Sequence, residues 1–126
     1  MNHGIGSIKR QAGGRGLFAE VGLDVEPSER SVFSIDLDAD SQGGATSYYP
    51  TIQAAITFAE EKALFVLKRS ELFNLQVTLR RLIVTAADTT ATAVFYATLL
   101  AIEDALEIEI PDAEVEWSSR ELKLKF

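Results

Sequence analysis

The sequence predicts an α+β fold: a two-layer sandwich in which a mixed β-sheet carries two helices on one face. Two patterns and one bound predict it. Apolar and polar residues alternate over Leu17 to Glu26, Ser31 to Leu37 and Leu75 to Leu79, the period-2 signature of half-buried strands. Two other stretches, one beginning at Tyr49-Pro50 and one near Thr89, repeat their apolar residues at helical spacing. The chain has 126 residues, 47% apolar and 25% charged, which is one domain's worth and enough to bury a core without staples.

Met1 to Ala12 carries two glycines and little periodicity, so residues 1–12 read as a flexible lead-in to a single domain spanning 1–126. Gly13, Gly14 and Gly16 around Arg15 form a glycine bend. In the strand that follows, Phe18, Val21, Leu23 and Val25 are set against Glu20, Gly22 and Asp24, and Pro27 closes it. Pro27 to Arg30 is a turn, and Ser31 to Leu37 is a second strand. The short connection predicts an antiparallel hairpin between the two.

Asp38 to Ser47 is a polar, glycine-bearing loop. Pro50 suits the first turn of a helix whose stripe is Ile52, Ala55, Ile56, Ala59, Ala63 and Val66, with Phe58 and Phe65 off it. That helix should end near Lys68 to Ser70. Leu75, Val77 and Leu79 form the third strand. Arg80-Arg81 interrupts it, and the apolar run Leu82 to Val84 follows. Asp88 is placed to cap a helix over about Thr89 to Ala105 that is apolar on nearly all sides. Residues 107–126 read as a C-terminal hairpin in which Glu114 and Glu116 can face Lys123 and Lys125.

Composition narrows the function classes. There is no cysteine, and His3 is the single histidine, so thiolate chemistry, a cysteine metal site, a His-based triad and a multi-His metal site are excluded within one chain. No cofactor or metal is expected. The net charge of −7 opposes non-specific binding to nucleic acid or anionic membranes. Lys9 and Arg10 have no apolar run behind them, which argues against a signal peptide. The longest apolar stretch, Ala91 to Ile102, is too short to span a bilayer, and a cytoplasmic location is the expectation.

Three motifs in order resemble the fourth domain of the translational GTPase elongation factor G. Gly13-Gly14-Arg15-Gly16 with Phe18-Ala19 and Val21, ending at Glu26-Pro27, is similar to that domain's opening. The stretch from Gly43-Gly44 through Tyr49-Pro50 into an apolar helix resembles its loop and helix start. Val77-Thr78-Leu79, then Asp88-Thr89-Thr90 before an alanine-rich helix, resembles its later strand, tip and helix. The resemblance covers roughly residues 8 to 106. It implies the fold of the second domain of ribosomal protein S-five, with a left-handed βαβ crossover where the pattern alone gives a right-handed one. It also implies a non-catalytic stand-alone module associated with the ribosome or a translation factor. The alternative is an interaction or scaffold domain that keeps the fold and has lost ribosome binding. The family's tip loop carries glycine and histidine. Here Arg80 to Ala87 has neither, and Thr85 stands where the histidine would be. No G-x-x-x-x-G-K-S/T loop is present, so no nucleotide is expected.

Arg80 and Arg81, with Lys68 and Arg69, are candidate contacts for RNA phosphates, against the alternative of a solvated strand end. Gly13, Gly14, Arg15 and Gly16 can cradle a phosphate or simply turn the chain. Asp36, Asp38, Asp40 and Ser41 lack the spacing of a calcium loop. The acidic run Glu107, Glu109, Asp112, Glu114 and Glu116 reads as a solvated strand rather than paired catalytic carboxylates. Tyr48, Tyr49, Phe95 and Tyr96 can stack on bases or pack at the rim of the core. The apolar surplus of the second helix, at Tyr96 and Leu100 with Phe58 or Phe65, predicts a homodimer through the helical layer, unless the C-terminal hairpin covers it.

Overall fold

The computed structural model describes residues 2–12, 15–41, 45–67, 74–85, 88–108, 114–118 and 121–125. For residues 10–16, 63–67 and those beyond 108 it describes backbone alone. Strands β1 (Asn2–Ala12), β2 (Arg15–Ser28), β3 (Val32–Ile35) and β4 (Asn74–Val84) form one sheet in the order β1-β2-β4-β3. Helix α1 (Tyr49–Leu67) links β3 to β4, and α2 (Ala91–Leu106) follows β4. A separate antiparallel pair, β5 (Glu114–Ser118) and β6 (Glu121–Lys125), ends the chain. The molecule is the expected α+β two-layer sandwich, a mixed sheet with two helices.

The inward side chains of the sheet are Gly4, Gly6 and Ile8 of β1, Leu17 to Val25 at alternate positions of β2, and Leu75, Val77, Leu79 and Leu82 of β4. They meet Ile52, Ala55, Ile56 and Ala59 of α1 and Ala93, Val94, Ala97, Leu99, Ala101 and Ile102 of α2, all buried. α2 is apolar around its circumference because it is covered on several sides: β1 and β2 below, α1 beside it and β6 against it.

Two expectations are corrected. Residues 2–12 are not a loose lead-in but a full-length edge strand, antiparallel to β2 from Asn2↔Val25 to Ala12↔Arg15. Its inward residues are glycines because α2 sits directly on it, leaving no room for a larger side chain at Gly4 or Gly6. The second correction concerns β3, which does not form a hairpin with β2. β4 inserts between them, antiparallel to β2 and parallel to β3. A parallel pair needs a crossover, and α1 supplies it.

Smaller differences follow local chemistry. Thr90, not Asp88, caps α2: its side chain accepts from Ala93 N–H at 3.1 Å, and the helix starts at Ala91. α1 is described as far as Leu67, and the expected limit at Lys68 to Ser70 lies outside the described residues. The C-terminal register pairs Glu114 with Lys125 and Glu116 with Lys123, as the charge pattern predicts.

Candidate functional site

The Arg80-Arg81 interruption is a β-bulge. Leu23 pairs with Leu79 and Gly22 with Arg81, so Arg80 is the extra residue on β4. Leu79 and Leu82 point into the core, while both arginines lie on the sheet face away from the helices. That open face also carries His3, Ile5, Lys9, Phe18, Glu20 and Asp24, with the Lys9 ammonium 5.8 Å from the Phe18 ring centroid.

Both arginines are engaged by carboxylates of the same chain. Arg81 Nε donates to Glu20 Oε2 at 2.6 Å, and its Nη1 donates to Asp38 Oδ2 at 3.0 Å and Asp40 Oδ2 at 3.3 Å. Arg80 donates through Nη1 to Asp36, and its Nε lies 3.7 Å from Asp24 Oδ2. Asp24 Oδ1 also meets His3 Nδ1 at 2.8 Å. Five carboxylates thus surround two guanidiniums, and the cluster is net acidic.

The acidic partners are delivered by the segment after β3. Asp36 N–H bonds Leu79 O, Asp38 N–H bonds Arg80 O, and Leu82 N–H donates to Ser41 Oγ at 3.1 Å, so residues 36 to 41 run along the bulged stretch of β4. Asp38 Oδ1 accepts from Asp40 N–H and Ser41 Oγ–H, a local turn that aims its other oxygen at Arg81. The Ser41 hydroxyl foremost, with the Arg81 guanidinium, holds the Asp38 carboxyl below its ordinary value. The Glu20 carboxylate foremost, then Asp38, holds the Arg81 guanidinium above its own.

A carboxyl whose folded value is depressed stabilises the fold above its unfolded value and loses that contribution as pH falls through the folded one. Thermal stability should therefore stay level from about pH 8 to pH 5 and fall below about pH 4. Asp38→Asn should show a shallower acid decline in a series of thermal melts. An identical decline would detach Asp38 from the effect.

Other sequence candidates are dispersed. Ala12 pairs with Arg15 across β1 and β2, and Gly13 and Gly14 of the glycine bend lie outside the described residues. Lys68 and Arg69 also lie outside them, as does the side chain of Phe65. Asp36, Asp38 and Asp40 turn to the arginines, and among the described residues no group of three or more His, Asp or Glu is arranged to hold a metal ion. Phe58 packs edge-on against Phe95, ring centroids 6.0 Å apart, joining α1 to α2 within one chain. Tyr96 and Leu100 are half-buried against the core, and β6 lies against α2. Tyr48 is half-buried, its hydroxyl donating to Thr89 O at 3.3 Å.

Thr85, Asp88 and Thr89 are bonded to one another and to β2. Thr85 N–H donates to Thr89 Oγ1 at 2.7 Å, Asp88 N–H donates to Thr85 Oγ1 at 3.1 Å, and Thr89 Oγ1 donates to Phe18 O at 2.6 Å. Thr85 thus bonds to residues 88 and 89 through both its amide and its hydroxyl. Sequence reasoning missed Glu60, a buried carboxylate that accepts from Leu75 N–H at 2.8 Å and Ser31 Oγ–H at 3.0 Å. Its signal was present, since Glu60 stands four residues after Ile56 on the apolar stripe.

No family model matches the chain, and no curated protein matches it. Among solved structures, the crystal structure of a Thermus thermophilus protein is similar at 23% identity and a TM-score of 0.69. The match covers 86% of this chain and 16% of that one, so this chain corresponds to a small part of a much longer protein. At that identity the likeness is one of fold.

Proposed function

We propose that this chain is a non-catalytic module of the elongation factor G fourth-domain type, working in the cytoplasm by contact with protein rather than with RNA phosphate. The observation that supports this most is the state of Arg80 and Arg81. A phosphate has to compete for these guanidiniums, because each is already paired with carboxylates, Arg80 with Asp36 and Asp24 and Arg81 with Glu20, Asp38 and Asp40. Phosphate approaching this cluster meets a net negative field within a chain of charge −7.

The link to translation rests on the sequence resemblance. That no described helix is long and apolar enough to cross a membrane is compatible with the reading. The direct ribosomal RNA alternative needs the arginines released. Co-sedimentation with ribosomes across a salt series separates the two. At about 0.15 M salt the protein should stay in the supernatant, with only weak pelleting at low salt. Firm pelleting at that salt, lost in the Arg80→Ala and Arg81→Ala double variant, would favour RNA contact.

A further inference from the structure

The two edges of the four-stranded sheet are finished differently. At β1 the amide of Ile5 donates to Asp104 Oδ2 of α2 at 3.0 Å, so a helix side chain takes up part of that edge. β3 has no such closure among the described residues. The bond from Asp36 N–H to Leu79 O sets the phase of the parallel ladder: Ser34 and Asp36 turn their backbone groups toward β4, and Phe33 and Ile35 turn theirs outward. No described residue hydrogen-bonds those outward groups. Val32 and Ile35, on opposite faces of the edge, are 40% and 45% exposed.

A crevice of about 320 Å³ runs beside this edge, lined by Ser31 and Phe33 from the strand side and by Gln53, Ile56 and Thr57 of α1. A strand edge flanked by a helix is the geometry that captures extended peptides. Main-chain bonds supply affinity, and alternate side chains enter the neighbouring pocket. Charge selects the peptide. Asp36, Asp38 and Asp40 continue from the end of β3, and the side chains of Asp36 and Asp40 are 73% and 77% exposed. A second copy of this chain would bring the same acidic run and another −7 charges to the edge, which opposes self-pairing.

We propose that the outer edge of β3, unpaired among the described residues, together with the crevice between it and α1, docks an extended, lysine- or arginine-bearing segment of a partner protein as a fifth strand. The proposal rests on the protein-contact reading but fails separately from it, since ribosome pelleting tests that reading with no peptide present.

The test is an NMR titration of the full chain with a synthetic peptide of alternating valine and lysine, and with a control peptide in which glutamate replaces lysine. The lysine peptide should slow hydrogen exchange at the Phe33 and Ile35 amides roughly tenfold or more, and the glutamate peptide should leave them unchanged. Ile35→Pro removes an outward N–H and leaves the β4 ladder intact, so it should weaken binding roughly 3- to 10-fold. If that variant fails to fold, exchange in the native chain still decides. Protection elsewhere or nowhere, or equal protection by both peptides, would overturn the proposal. So would protection that rises with protein concentration alone, which would assign the edge to a second copy.

Discussion

Gly6→Ala is expected to destabilise the protein by about 3 kcal/mol or more, beyond the usual range for an added methyl group. A Cβ at Gly6 would collide with the Ala97 carbonyl oxygen and lie 2.7 Å from Ala101 N, both backbone atoms of α2. No rotamer relieves such a clash, so the helix must lift from β1 and loosen the buried contacts of Ala97 and Ala101. Out of a typical total of roughly 5–15 kcal/mol, this is a large share, and the melting temperature should drop by roughly 10 °C or more. Gly22→Ala is the comparison: its Cβ would meet one atom closer than 3.0 Å, the Arg81 Cβ at 2.9 Å, where Gly6→Ala meets three backbone atoms of α2, so its loss should be the smaller. Denaturant melts of the two variants check this. A Gly6→Ala protein as stable as the parent would mean that α2 does not rest on β1.

The same glycines explain what was hard to read in the sequence. β2, β4 and both helices announce themselves because their inward residues are apolar at the right period. The inward residues of β1 are Gly4, Gly6 and Ile8; hydrophobic periodicity is blind to a strand whose role is to let a helix approach. The partner of β3 was illegible for another reason. A short link after β2 favours a hairpin by local rules, whereas the observed pairing is set by α1 returning the chain to a parallel neighbour. At the candidate site, Arg80 and Arg81 were visible as a break in period, and the loop from Asp38 to Ser47 as polar. Their pairing depends on the bulge and on the run of residues 36 to 41 beside β4, neither of which has a local signature.

Glu60→Ala should cost about 2–3 kcal/mol. The parallel ladder ends at Val32↔Gln76, so the amide of Leu75 falls one step beyond it, and Glu60 Oε2 takes the place of the missing carbonyl. Leu75 is fully buried, and removing the carboxylate leaves its N–H without an acceptor. The other oxygen, Oε1, accepts from Ser31 Oγ and fastens the start of β3 to α1. Glu60→Gln retains a carbonyl for Leu75 and an amide that Ser31 can accept from, and should cost roughly 1 kcal/mol or less. Equal losses for both substitutions in urea melts would show that charge, not hydrogen-bond acceptance, is what Glu60 supplies.

The central claim is that Arg80 and Arg81 are taken up by the chain's own carboxylates. NMR of the arginine Nε–H groups tests this most directly, with and without added single-stranded RNA at about 0.15 M salt. The Arg81 Nε–H, bonded to Glu20 at 2.6 Å, should be slow to exchange and should keep its shift when RNA is added. Rapid exchange in the free protein, or a shift of the Arg80 or Arg81 signals that saturates with RNA, would contradict the account.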